Sequence, residues 1–174
     1  MKKILTLIIL FAILALACKR PPLAFDRMPF LGNELRTDGF YYYTYYPNSQ
    51  WDTTNRTYVL FLYKDGTILR GFTYNTVNIQ DITIENIKEK EKFLQKDSGS
   101  WGLFTVKGRN LYWSFWHYGP DFHTYVSLDS AKILNDTTFH EYRESSEGII
   151  VDNIYYFHQF SYKPDSSVAY QWIP

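Results

Sequence analysis

Three polar side chains around one loop of the sequence could bind a metal ion. His117, Asp121 and His123 flank the dipeptide Gly119-Pro120, and two histidines with one carboxylate form a ligand set for divalent iron. Ligands on a β-strand commonly lie two residues apart on one face, and none of the four histidines belongs to a His-x-His pair. Ordinary, partly exposed histidines at a hairpin end explain the pattern better, so we predict no metal site and no cofactor.

Other catalytic patterns are missing from the sequence. No Gly-x-Ser-x-Gly segment occurs, and Ser100 lacks the strand-turn-helix context of a nucleophilic serine. The sequence also contains no phosphate-binding loop and no dinucleotide-binding fingerprint. We therefore assign no catalytic residue and expect a protein that is not an enzyme, while noting that scattered residues can also build a site.

The aromatic residues give the best indication of a binding site. Residues 111–118 read LYWSFWHY, and a strand with these residues carries aromatic rings on both faces, because successive side chains point to opposite sides. Tyr and Trp surfaces suit apolar molecules or sugar rings. The alternative is packing alone, with inner rings filling a core and outer tyrosines lying against neighbouring strands. The candidate ligand-binding residues are Tyr112, Trp113, Phe115, Trp116 and Tyr118.

The only cysteine follows an apolar N-terminal run. Lys2 and Lys3 precede the run Ile4 to Ala17, which is apolar except for Thr6, and Cys18 comes next. A basic start, a short apolar stretch and small residues at its end are typical of an export signal. A membrane-spanning helix needs about 20 apolar residues, so this run is too short to span, and a plain secretory signal is the closer alternative.

The segment Leu14-Ala15-Leu16-Ala17-Cys18 resembles the lipobox of bacterial lipoproteins. The resemblance implies that residues 1–17 are removed and that Cys18 receives lipid, which would hold the protein on a membrane. Lys19 stands where an inner-membrane retention signal would place Asp. The resemblance therefore implies an outer-membrane lipoprotein that faces the periplasm.

Charge and cysteine content argue against a nucleic-acid-binding protein and against a fold stabilised by disulfides. The 18 basic residues balance 18 acidic ones, so the chain has no basic field for nucleic acid. With Cys18 used for lipid, the exported part has no disulfide and must be stabilised by packing.

Composition and turn signals predict a mainly β protein. We expect a tether at residues 18–35 and a single β-barrel domain at residues 36–174. Asp65-Gly66 marks a tight hairpin turn. The exception is residues 81–95, where apolar residues at helical spacing and alternating charges predict an amphipathic helix. The predicted strands are Gly39–Tyr46, Thr57–Tyr63, Thr67–Tyr74, Trp101–Val106, Asn110–Tyr118, His123–Lys132, Thr137–Arg143 and Ile149–Tyr162.

About eight short strands favour a small antiparallel meander barrel with one helix between the third and fourth strands, where the helix could close one end of the barrel. A closed barrel removes the exposed edges of an aromatic-rich sheet. A two-sheet β-sandwich is the alternative, because both folds show short strands at regular spacing.

Several turn and strand-start segments resemble those of small Bacteroidetes lipoproteins, which are similar to lipocalin-like barrels. The resemblance covers most of the exported part and implies the barrel fold, but no catalytic residue. The segments are Leu35–Tyr42, Leu60–Thr67, Trp101–Gly108, Ile133–Phe139 and Phe160–Ser166.

Two functions of different classes follow from the sequence. The first is a lipid-anchored, non-catalytic binding module for a small hydrophobic or glycan ligand. The second is a structural or assembly component that contacts another envelope protein through a Tyr-rich surface. A roomy interior lined by Trp113 and Phe115 would favour the first, and a filled interior with a continuous exposed aromatic patch would favour the second.

Overall fold

Eight antiparallel strands close into one barrel within the residues that the computed structural model describes, which are 20–46, 54–94, 96–119, 123–144 and 150–173. Each strand pairs with the next, and the last pairs with the first in the register Gly39↔Gln159 to Tyr42↔Tyr156. The meander barrel is therefore confirmed, and the sandwich alternative is excluded. Cys18 lies outside the described residues.

The strands follow the predicted order closely. They are β1 (Gly39–Tyr45), β2 (Arg56–Leu62), β3 (Thr67–Tyr74), β4 (Trp101–Lys107), β5 (Asn110–Tyr118), β6 (Thr124–Asn135), β7 (Thr138–Glu144) and β8 (Ile150–Gln159).

The two ends of the barrel differ in their connections. At one end, here named the turn end, short turns at residues 64–66, 108–109 and 136–137 join neighbouring strands. Gly66 adopts φ +85° in the first of these turns, a conformation that glycine adopts without steric cost. At the opposite end, here named the loop end, β1 stops at Tyr45 and β5 stops at Tyr118.

Packed side chains fill the barrel interior near the turn end. The rings of Tyr41 and Phe139 pack there with centroids 5.0 Å apart and planes tilted by 47°. Leu35, which precedes the first strand, is buried with them, and the Tyr41 hydroxyl donates to the Asp136 carbonyl at 2.8 Å. The N-terminal residues therefore close this end, while the sheet closes the sides.

The outer face of β1–β5 is covered by segments outside the barrel. The helix α1 (Ile84–Leu94) buries Ile87 and Leu94 in an apolar cluster with outward side chains of β2, β3 and β4. Its start is capped by Thr83, whose Oγ1 accepts from the Asn86 amide at 3.3 Å. The helix lies between β3 and β4 as predicted, and its apolar face packs on the outer wall instead of closing one end of the barrel.

The C-terminal segment is held against the same outer wall. Glu91, within the charge run of α1, is buried rather than solvated. Its carboxylate accepts from the Tyr162 hydroxyl and from the Asp165 amide. One charged residue of the helix thus anchors the chain that follows the barrel.

Residues 20–35, expected to be a tether, run along the barrel wall. The Trp116 indole donates to the Pro21 carbonyl at 2.8 Å, and the Ala24 amide donates to Ser114 Oγ at 3.2 Å. Further on, the Phe30 amide donates to the Lys64 carbonyl at 2.8 Å. Among the described residues, none of the helices is long and apolar enough to cross a membrane.

Candidate ligand-binding cavity

A cavity of about 410 Å³ occupies the barrel interior toward the loop end. This volume lies within the range of small-molecule sites. It reaches the surface beside Arg143, whose side chain is 59% exposed. The aromatic side chains that line it are Tyr43, Tyr58, Trp113, Phe115 and Tyr155.

Strand register brings these rings together. Tyr43 of β1 lies opposite Tyr58 of β2, and their rings stack with centroids 4.8 Å apart and planes 5° from parallel. Tyr155 of β8 meets Tyr43 edge to face at 4.8 Å. Together they form a continuous aromatic wall on which a flat or ring-shaped group could pack.

Two acidic side chains, Asp129 and Glu141, also line the cavity. Asp129 of β6 accepts a hydrogen bond from Arg143 Nη1 at 2.8 Å. Glu141 is buried and accepts from the Tyr155 hydroxyl at 3.2 Å and from Asn153 Nδ2 at 3.3 Å. Burial raises the pKa of Glu141, and these two hydrogen bonds act against that rise.

Arg70 is the cation of the cavity that lacks an acidic partner. Its guanidinium lies 4.0 Å from the ring centre of Phe115, and within the described residues it forms no ion pair. Its Nη2 contacts both ring nitrogens of His117, at 3.1 and 3.3 Å. Desolvation lowers the pKa of Arg70 from its ordinary value, and the negative charges of Asp129 and Asp97 act against this decrease.

Gly71 forms a β-bulge in β3 directly after Arg70. Gly71 has φ +111°, and the pairing of β2 with β3 shifts opposite it, between Val59 and Leu60. A Cβ at this position would lie 3.0 Å from Ser100 Oγ and 3.2 Å from Leu94. The bulge bends β3 where it leaves its pairing with β4, while Arg70 points inward by strand alternation from the interior residue Ile68.

The sequence-predicted site residues divide between the two faces of β5. Trp113 and Phe115, which are 5% and 1% exposed, point inward and line the cavity. Trp116 points outward and is covered by residues 20–25. Tyr112 and Tyr118 also point outward, and the Tyr118 hydroxyl bonds to Ser98. The structure brings only two of the five candidates into the cavity.

The loop histidines do not meet as a metal site in the described chain. His117 points into the barrel, where Ser127 Oγ lies 2.9 Å from its Nε2, and His123 is exposed before β6. Asp121 lies outside the described residues. Among the residues that are described, no group of three histidine, cysteine or acidic side chains could hold a metal ion.

Sequence reasoning missed the polar half of the lining. Arg70 stands between Leu69 and Gly71, but other polar lining residues have polar neighbours, as Arg143 does in Glu144. An isolated charge at an inward position of a strand was the available signal, but using it requires knowing which face is inward. The missed lining residues are Tyr43, Tyr58, Arg70, Asp129, Glu141, Arg143, Asn153 and Tyr155.

The fold and site define an eight-stranded antiparallel barrel with an amphipathic interior cavity. The chain matches no protein-family model, no curated protein and no solved structure.

Proposed function

We propose that this protein is a lipid-anchored, non-catalytic binding module that holds one small ligand inside its barrel. The observation that carries the proposal is the interior cavity of about 410 Å³, enclosed by strands and lined by Trp113 and Phe115. A packed β-barrel core leaves few voids larger than a water molecule, so a space of this size beside stacked tyrosines favours occupancy by a ligand.

The mixed lining narrows the ligand class. The rings of Tyr43, Tyr58 and Trp113 suit a sugar ring or an apolar group. Arg70 suits an anionic group, because a guanidinium forms strong hydrogen bonds to carboxylates and phosphates. A purely hydrophobic ligand would bury these polar groups without replacing their hydrogen bonds. The proposed ligand therefore combines a ring or apolar body with one acidic group, as an acidic sugar or an amphipathic carboxylate does.

The location is proposed from the sequence. The lipobox resemblance at Cys18 supports lipid attachment, cleavage after residue 17, and a periplasm-facing position at the outer membrane. The relation to Bacteroidetes lipoproteins belongs to the same proposal. No nucleic acid is expected as a partner, because basic and acidic residues balance.

A second candidate is an assembly role through the outer surface of β7 and β8. Tyr142 and Tyr156 are exposed there, as a contact surface for an envelope protein would require. The exposed pair of His140 and Asp152, with its atoms 2.7 Å apart, interrupts this surface. The binding module is the better supported proposal, since the aromatic cavity lies inside the barrel and the outer patch is interrupted by polar groups.

Native mass spectrometry of the mature protein from detergent tests the binding function. We expect a retained small molecule, and we expect Trp113→Ala to lose it, because that indole forms part of the wall. Trp116→Ala is the matched control, since Trp116 lies on the opposite face of the same strand. A protein that carries no ligand and binds neither acidic sugars nor amphipathic carboxylates by calorimetry would contradict the proposal.

A further inference from the structure

The described chain begins beside the loop end of the barrel. The Arg20 guanidinium lies 5.7 Å from the ring centre of Trp116 and 5.0 Å from that of Trp172. Trp116 is two residues before the end of β5 at Tyr118. Cys18 precedes Arg20 by two residues, which span at most about 7 Å. Two residues of chain therefore link the lipid-bearing position to a segment that is docked beside the loop end.

Hydrogen bonds hold the described part of the N-terminal segment along the barrel wall. From Pro21 the chain runs along the wall to the turn end, with hydrogen bonds to the Trp116 indole, to Ser114 Oγ and to the Lys64 carbonyl. Leu35 is then buried in the barrel interior. A lipid on Cys18 could reach the turn end only if these contacts broke.

The rim at the loop end carries exposed amphipathic rings. Tyr46, which follows β1, is 65% exposed, and Tyr45, Tyr118 and Tyr125 are also exposed. Tyrosine is enriched at membrane-water interfaces, where its ring and hydroxyl face different environments. The turns at the other end expose Lys64, Lys107 and Arg109.

The turn end offers one competing apolar contact. Leu31 of the N-terminal segment is 92% exposed and lies near Phe104 and Val106. This single side chain lies on the segment that leads away from Cys18, so membrane contact through it requires the anchor to cross the length of the barrel. The short link from Cys18 to the segment docked at the loop end therefore favours membrane contact at that end.

We propose that the loop end, with the mouth of the cavity, faces the surface of the membrane to which Cys18 is anchored. The inference rests on the lipid anchor of the proposed function and adds the orientation of the barrel. In this orientation the cavity exchanges its ligand with the membrane surface, because its mouth beside Arg143 opens toward the lipid headgroups. The binding partner is the lipid bilayer, which holds the protein through the acyl chains on Cys18 and contacts the exposed tyrosines at the loop end.

A fluorescent label at either end tests the orientation. Because the sequence has one cysteine and lipidation consumes it, Tyr46→Cys and Lys107→Cys each provide a single reactive thiol. The mature lipidated proteins are labelled with an environment-sensitive fluorophore and inserted into phosphatidylethanolamine-phosphatidylglycerol vesicles that contain a nitroxide-headgroup lipid. The two sites are roughly 20–25 Å apart along the barrel axis, from the rise and tilt of the strands.

We expect strong quenching of the label at position 46 and none at position 107. Equal quenching, or stronger quenching at 107, would overturn the orientation while leaving the lipid anchor intact. Proteins that do not float with the vesicles would overturn the anchor and the orientation together, and the ligand measurement in detergent would be unaffected.

Trp116→Phe provides a matched variant for the docked segment. It removes the hydrogen bond to the Pro21 carbonyl and keeps an aromatic ring in place. We expect the difference in quenching between the two labels to shrink in this background, while circular dichroism shows an intact barrel. An unchanged difference would contradict the role of the docked segment in orienting the barrel.

Discussion

Arg70 donates a hydrogen bond to His117 across the inner wall of the barrel, with Nη2 3.1 Å from Nε2 and 3.3 Å from Nδ1. A guanidinium has only donors, so the imidazole must accept through an unprotonated nitrogen. The histidine is therefore neutral in this arrangement. It satisfies one donor of Arg70, which forms no ion pair within the described residues, so the other donors of the guanidinium suit an acidic ligand.

Arg70→Gln should weaken binding of an acidic ligand about 10- to 100-fold, because a hydrogen bond to a charged group contributes about 1.5–3 kcal/mol. Lys132→Gln removes the same charge from an exposed position of β6 and should leave affinity unchanged. Isothermal titration of both variants with an acidic sugar and an amphipathic carboxylate measures the effect and separates the two ligand types. Equal affinities in the two variants would exclude Arg70 from recognition.

Stability should fall as the pH drops below about 6.5, the unperturbed pKa of histidine. Two causes lower the pKa of His117 in the folded protein: burial, which is the larger, and the positive charge of Arg70. The unfolded chain therefore binds more protons below this pH, and protonation drives unfolding. Urea denaturation between pH 8 and 4.5 measures the trend. His117→Gln should flatten it, since an amide oxygen also accepts from Arg70, and an equally steep trend in this variant would assign the effect to other groups.

Glu141→Gln should stabilise the protein at pH 8 by a few degrees in Tm. Burial raises the pKa of Glu141 when the chain folds, so ionisation above the folded pKa opposes folding. The advantage of the variant should shrink as the pH falls toward 4.5, where the native carboxyl becomes neutral. A variant that is less stable than the native protein at pH 8 would show that contacts with Arg143 and Tyr155 outweigh the cost of burial.

Lys163→Met should destabilise the turn end by about 2–3 kcal/mol, since it leaves carbonyl groups without their donor. Lys163 Nζ donates to the Thr37 carbonyl at 2.8 Å and to the Leu62 carbonyl at 2.7 Å, and burial lowers its pKa to about 8. Lys64→Met is the control, because Lys64 is exposed in the neighbouring turn. Guanidinium denaturation of both variants compares them, and equal midpoints would refute the role of Lys163.

Much of the strand order was predictable because local signals agree with the fold. The predicted bounds of β3 and β5 match the structure, and Asp65 Oδ1 accepts from the Thr67 amide at 3.0 Å in the turn expected there. The last strand was predicted to reach Tyr162 but ends at Gln159. Beyond that point the chain turns along the outer wall, where Glu91 holds Tyr162, and no local pattern signals such a contact.

The candidate site was less predictable, for a reason visible in β5. Both faces of this strand are aromatic, so alternation separates Trp113 from Trp116 but does not say which ring points inward. Which ring points inward depends on the segment that covers the outer face of the strand. Trp116 points outward because its indole bonds to Pro21, which lies 95 positions earlier in the chain. Part of the cover thus comes from a segment whose own composition suggested only a tether.

By itself, the sequence determined the β class, the tight turns, the helix and the lipobox resemblance at Cys18, because each depends on neighbouring residues and on their spacing. Only the tertiary structure decided that Arg70 and His117 meet, that Glu141 is buried, and that Tyr43 and Tyr58 stack. Those contacts depend on strand register and barrel closure. Both are set by packing between residues that are distant in the chain, and this information is not contained in any single segment.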